Sequence, residues 1–240
     1  MTLDSELRKR LQIALGIAIV LVGARTAYIV YGRYEERKQA EQPKAEHALK
    51  ADYYVTPKKL YPFDLKSARE LTKQPVWVRV GYYHTYYPYD AARRRAVFAH
   101  EAGTLLPLQK LSIQDVLTDV SPLAPGNKQV LARFALDGKN YVVPIGSEQA
   151  GDFKIYSDDI FFIEDPHELY KHWPTDVWKA IDNHEVQPGM SELQATCAIG
   201  AGMPDPTSTS YSRTLHYANG GKPLTIIYRN DKAVEIKAGS

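Results

Sequence analysis

The sequence predicts an α+β chain built in series: a single N-terminal transmembrane helix, a small β-rich, barrel-like domain, and a C-terminal domain of order α-α-β-β-β. Three observations predict it. An apolar run occupies residues 11–32, short alternating segments bounded by turn residues fill 75–165, and helical spacing followed by three strand-like segments fills 166–240.

The N-terminal element comes first. Leu11 to Ala24 is apolar except for Gln12, and Thr26 to Gly32 extends the run past Arg25. Together they cover about 21 residues, roughly the 20 that a helix needs to cross a hydrocarbon core. Tyr28, Tyr31 and Tyr34 cluster at the distal end, where interfacial aromatic residues belong. Arg8, Lys9 and Arg10, followed by Leu11–Val22 and the small residues Val22-Gly23-Ala24, also fit a cleaved signal peptide. The apolar sequence resumes beyond that point, which favours the anchor. The expected location is therefore a single-pass protein, in a bacterial inner membrane with its domains in the periplasm. The lipid bilayer would be contacted through residues 11–32.

Residues 33–74 read as a polar tether and a short helix. The stretch from Arg33 to Lys50 is charged and Ala-rich, and Asp64 is placed to cap a turn through Leu65, Ala68 and Leu71. From Val76 the period changes to two. Val130–Leu136, then Asp137-Gly138, then Asn140–Ile145 reads as a hairpin whose turn demands positive φ. Phe153–Tyr156 and Ile160–Ile163 bracket a turn at Ser157-Asp158-Asp159 and read as a second pair of strands. In 166–240, Pro174 opens a helix carrying Val177, Trp178 and Ile181. Ser191 and Gln194 form a capping box for a second helix that ends at Gly200. Strands are predicted at Arg213–Ala218, Leu224–Tyr228 and Ala233–Lys237.

In this last region, Gly189-Met190-Ser191, Gln194, Ile199-Gly200 with Pro204, Leu215-His216-Tyr217 and Leu224–Ile236 resemble the SmpA/OmlA (BamE-like) domain family of the bacterial envelope. The likeness covers about a quarter of the chain. It departs from the family pattern in a two-residue insertion (Ala201, Gly202), in Leu215 standing for Trp, and in the lack of a lipid-bearing Cys. The resemblance implies a non-catalytic envelope domain that contacts membrane proteins.

Composition narrows the function classes. The formal charge of +2 supplies no broad field for nucleic acid, and the single cysteine, Cys197, excludes an intramolecular disulfide or a multi-Cys metal site. His167-Glu168-Leu169-Tyr170-Lys171-His172 resembles a zinc-protease motif, but its second His falls at i+5, about 140° around a helix from the first. Gly200-Ala201-Gly202 lacks the third glycine of a dinucleotide fingerprint. No catalytic, cofactor-binding or metal-binding residues are expected.

One segment stands out. Tyr82, Tyr83, Tyr86, Tyr87 and Tyr89 lie within eight residues, and Arg93, Arg94 and Arg95 follow. Tyr and Arg dominate binding hot spots because they bury area while keeping a polar handle. The expected function is an accessory or structural subunit that binds and stabilises a larger membrane protein complex through these residues and exposed β-edges. An envelope scaffold and a glycan (peptidoglycan)-binding module are the alternatives.

Overall fold

The computed structural model describes residues 23, 25–28, 30, 31 and 33, and then 51–120, 126–206, 208, 209 and 212–239. The chain divides into two units, Met1–Lys50 and Ala51–Ser240. In the first, every described residue is helical and exposed.

No helix among the described residues is long and apolar enough to cross a membrane. The longest complete helices have eight residues, about 12 Å at 1.5 Å per residue, against roughly 30 Å of hydrocarbon. This overturns the expected single-pass transmembrane helix and the bacterial inner-membrane location built on it. Residues 11–22, 24, 29 and 32 of the expected span, and residues 34–50 of the expected tether, lie outside the described residues.

The second unit is mostly β, which corrects the α+β expectation: 14 strands form three antiparallel sheets among the described residues. In chain order they are β1 (Val76–Val78), β2 (Thr85–Asp90), β3 (Arg95–Ala96), β4 (Gly103–Thr104), β5 (Lys110–Leu111), β6 (Ile113–Val120) and β7 (Lys128–Leu136). Then come β8 (Lys139–Gln149), β9 (Asp152–Ile155), β10 (Phe161–Phe162), β11 (Gly202–Pro204), β12 (Ser212–Tyr217), β13 (Leu224–Arg229) and β14 (Lys232–Ala238). The helices are short: α1 (Leu65–Ala68), α2 (Ser157–Ile160), α3 (Pro166–Leu169), α4 (Thr175–Asp182) and α5 (Glu192–Ile199). Their brevity is the physical reason for the correction. Three of them are single turns, two capped by Asp64 and Asp165, so most of the apolar surface is buried by sheets.

The largest sheet runs β3-β2-β8-β7-β6, with β4 beside β2 and β9 beside β8. Its centre is the β7–β8 hairpin. Asp137 and Gly138 take φ of 50° and 73°, the positive values that a tight hairpin turn requires. Val130, Ala132 and Phe134 of β7 and Val143 and Ile145 of β8 bury one face against Leu71, Val76, Val78, Leu105 and Ile160. A small sheet, β10-β1-β5, closes that core. The predicted pairing of Phe153–Tyr156 with Ile160–Ile163 does not occur. Ile155 pairs with Gly146 in one sheet, Phe161 pairs with Val78 in another, and α2 intervenes.

The second core lies under the sheet β11-β12-β13-β14. Trp173, Trp178, Ile181, Met190, Ile199, Leu215 and Ile226 fill it. Helix α5 starts where Ser191 Oγ accepts from the Gln194 N–H (3.2 Å) and Gln194 Oε1 accepts from the Ser191 N–H (2.8 Å). It stops at Gly200, whose φ of 86° and ψ of −169° only glycine adopts freely. A Cβ on Gly200 would sit 2.4 Å from the Gly81 carbonyl oxygen, so this glycine also lets two backbones touch. Inside the core the hydroxyls of Tyr217 and Tyr228 satisfy each other at 2.8 Å.

The segment that opens the unit is laced to it by carboxylates. Asp52 Oδ1 accepts from Trp173 Nε1 (2.7 Å) and His172 Nε2 (2.6 Å). Asp158 accepts from the N–H groups of Leu60 (3.0 Å) and Tyr61 (2.7 Å).

Candidate functional site

The tyrosine-rich segment follows a tight turn after β1 and enters β2. Its residues divide by the pleat of the strand. Tyr86 points inward, edge-on to Phe134 (ring centroids 5.7 Å apart) and Tyr141 (5.1 Å), with its hydroxyl over Gly103. Burial and the neighbouring Tyr141 and Asp137 push its pKa up. Tyr82, at φ 59°, leaves the strand and lays its ring against Gly220 and near His184 (6.5 Å). Both are structural.

The alternate residues face outward. Tyr83 is 73% exposed and stands edge-on to His84 at 5.2 Å. Tyr87 packs edge-on to Phe98 at 5.1 Å, and Tyr89 lies under the Arg133 guanidinium at 5.7 Å. Arg93, Arg94 and Arg95 are all exposed around the β2–β3 turn. Arg93 reaches Asp90 at 3.7 Å. The structure therefore brings Tyr83 and Tyr87 to one surface and places the arginines at the end of the same strand. It turns Tyr86 away from that surface and places Tyr82 elsewhere, against Gly220.

Register explains why a groove forms there. One edge of the 11-residue β8 is shared by two strands: β2 pairs at Tyr141 and Val142, and β9 pairs from Gly146 to Gln149. Between them the two strands part over Val143 and Pro144, and Pro144 offers no N–H to a neighbouring strand. The gap is an open groove of about 360 Å³ lined by Tyr83, His84, Thr85, Tyr87, Val143, Pro144 and Tyr156. Tyr156 is 44% exposed. Sequence reading missed it as a site residue. Its ring comes beside Pro144 only through the β8–β9 register, and its own neighbours carry no signal of that. Burial holds the His84 pKa below, and that of Tyr156 above, their ordinary values. Among the described residues, the hydroxyls of Tyr83, Tyr87 and Tyr156 have no hydrogen-bond partner.

Other chemistry-bearing residues are engaged elsewhere. His167 stacks on Trp178 at 4.0 Å, whereas His172 donates to Asp52, so the pair in the zinc-protease-like motif has separate structural roles. Cys197 is buried, and desolvation pushes its thiol pKa up to about 12. Among the described residues no group of three or more His, Cys, Asp or Glu side chains is placed to hold a metal ion. A second groove of about 990 Å³ runs between Tyr82, His184 and the ends of β13 and β14. The SmpA/OmlA likeness rests on the residues that carry it and on nothing else, because no family model, no curated protein and no solved structure matches this chain.

Proposed function

We propose that this chain is a non-catalytic accessory subunit that binds a partner protein of a larger assembly, with the tyrosine groove between β2 and β9 as the contact site. The observation that carries the reading is the groove itself. Tyr87 on β2, with the exposed Tyr83 and Tyr156 just outside β2 and β9, presents rings with unpartnered hydroxyls around Val143 and Pro144. Tyrosine binds well in such a place because its ring loses little conformational freedom and its hydroxyl remains available.

Exposed β-edges serve the reading less well. The outer edge of β14 is bonded at Ala233 to the backbone of Gly189 and Met190, and it carries Lys232, Glu235 and Lys237 and a register irregularity opposite Ile227/Tyr228, the usual devices that keep edges from pairing. The test is native separation of the assembly with wild-type chain and with Tyr83→Ala/Tyr156→Ala. Both rings are substantially exposed, so the variant folds. The wild type is expected to co-migrate with a large assembly and the variant to run free. A variant that stays in the assembly would sink the proposal. Retention of the wild-type chain on insoluble peptidoglycan, lost in the variant, would point to the glycan-binding alternative.

A further inference from the structure

We infer that the second groove, at the outer edge of β14, docks a short extended segment of a partner protein, added as a strand beside Ile236 and Ala238. It is a site separate from the tyrosine groove, and three features of it lead to this occupant.

First, register decides which backbone groups face the groove. In an antiparallel pair, alternate residues bond across to the neighbouring strand, and those between them turn their N–H and C=O groups the other way. The Gly239 N–H donates to the Pro223 carbonyl at 2.7 Å, so the bonded pairs of the β13–β14 hairpin are Gly239–Pro223, Lys237–Thr225 and Glu235–Ile227. Ile236 and Ala238 therefore direct their backbone groups away from β13. β14 ends its sheet, and among the described residues no other backbone group bonds to theirs. The same two residues line the groove of about 990 Å³.

Second, this edge carries a pairing that stops short. Ala233 accepts from the Gly189 N–H and donates to the Met190 carbonyl, both at 2.8 Å. The chain ahead of Gly189 does not continue along the edge; Asn183 to Val186 line the groove instead. An added segment continues, past the bulge, the pairing that Gly189 and Met190 begin. Outward groups two residues apart repeat at about 6.6 Å, the repeat of an extended chain. A helix spends its backbone groups internally, and a saccharide has no such repeat.

Third, the size and lining suit a short segment. The bulge opposite Ile227/Tyr228 leaves only two outward residues open beyond it, which excludes a long sheet edge. Tyr82, Leu106, Val186 and Leu224 supply apolar lining, and successive side chains of an extended segment point to opposite faces, so alternate residues of the partner are apolar. Glu185 and Lys222, both exposed, bring opposite charges to the groove, so net charge does not select the occupant.

The test follows amide hydrogen exchange in the isotope-labelled full chain, with and without a seven-residue peptide that alternates valine and threonine between two terminal lysines. The Ile236 and Ala238 amides are expected to exchange freely in the chain alone and at least tenfold more slowly with the peptide. Two further peptides are N-methylated, one at its valines and one at its threonines. Only one edge of the peptide pairs, so one of them is expected to lose the protection and the other to keep it. Ala238→Pro removes an outward N–H that β13 does not use; it is expected to keep the unfolding midpoint and to weaken binding at least tenfold. Tyr83→Ala/Tyr156→Ala, in the other groove, is expected to bind the peptide as the wild type does. The inference is overturned by no protection at millimolar peptide, by equal behaviour of the two methylated peptides, by unchanged binding in Ala238→Pro, or by loss of binding in the tyrosine variant. Protection that rises with protein concentration in the absence of peptide overturns it in favour of a second copy of the chain.

Discussion

Replacing Asp52 by alanine tests how the first residues of the second unit are held. One carboxylate oxygen, Asp52 Oδ1, takes both the Trp173 indole N–H (2.7 Å) and His172 Nε2 (2.6 Å). Trp173 is only 6% exposed, so water cannot readily replace its lost acceptor. An orphaned buried donor costs about 1–3 kcal/mol. His172 keeps about a third of its side chain in water and loses less, on the order of 0.5–1 kcal/mol. The expected loss for Asp52→Ala is therefore about 2–3 kcal/mol, or roughly 4–12 °C in Tm for a unit of this size. Asp52→Asn keeps one acceptor and should lose less than half as much. The assay is urea unfolding of the single variants and of a cycle with Trp173→Phe, which removes the indole donor. In the Phe background the alanine change should cost about 1–2 kcal/mol less. A single-variant loss under about 0.5 kcal/mol, or zero coupling in the cycle, would refute the reasoning.

Three further outcomes are expected. Gly200→Ala should destabilise by about 2–4 kcal/mol, combining a backbone conformation nearly confined to glycine with a 2.4 Å approach to the Gly81 carbonyl; an unchanged urea midpoint would show that neither constraint matters. Cys197 should stay unmodified by a thiol reagent in the native protein at neutral pH and react only as the chain unfolds, because burial removes it from solvent and disfavours its thiolate; rapid native labelling would contradict this. Glu148 and Glu164 are held below their ordinary pKa of 4.5, first by hydrogen bonds from the Lys128 and Lys58 side chains and then by the N–H groups of Gly151 and Lys58. Their contribution is complete above the unfolded value and is lost as pH falls through the lowered ones. The urea midpoint should accordingly drop between about pH 5 and pH 3, less steeply in Lys128→Met; equal slopes would remove Glu148 from the account.

The sequence–structure comparison separates along the range of the interactions involved. The His167/His172 pair illustrates it: spacing alone shows that the two rings do not share a helix face, but not that one rests on Trp178 while the other holds Asp52 some 120 residues away. The β-strands from Phe153 to Ile163 show it again. Both are strands, yet β9 and β10 belong to different sheets because a helical turn at Ser157–Ile160 redirects the chain. The tyrosine cluster is legible as unusual, but period-two patterning says only that two faces exist. It does not say that Tyr86 would be the residue packed edge-on to Phe134, or that Tyr156 would line the groove.

By itself the sequence determined the local devices: the Asp64 and Ser191 caps, the Asp137-Gly138 turn, the helix stop at Gly200, and the strand identity of β7, β8 and β12 to β14. Each is set by backbone sterics or by side chains within about four residues, so no distant partner is needed to specify it. Tertiary structure alone decided that the second unit would be mostly β in three sheets, which tyrosines would face solvent, and where β2 and β9 would part. These depend on which strand edges meet across many residues of intervening chain, and the free energy of that choice lies in packing and register, which local sequence does not encode.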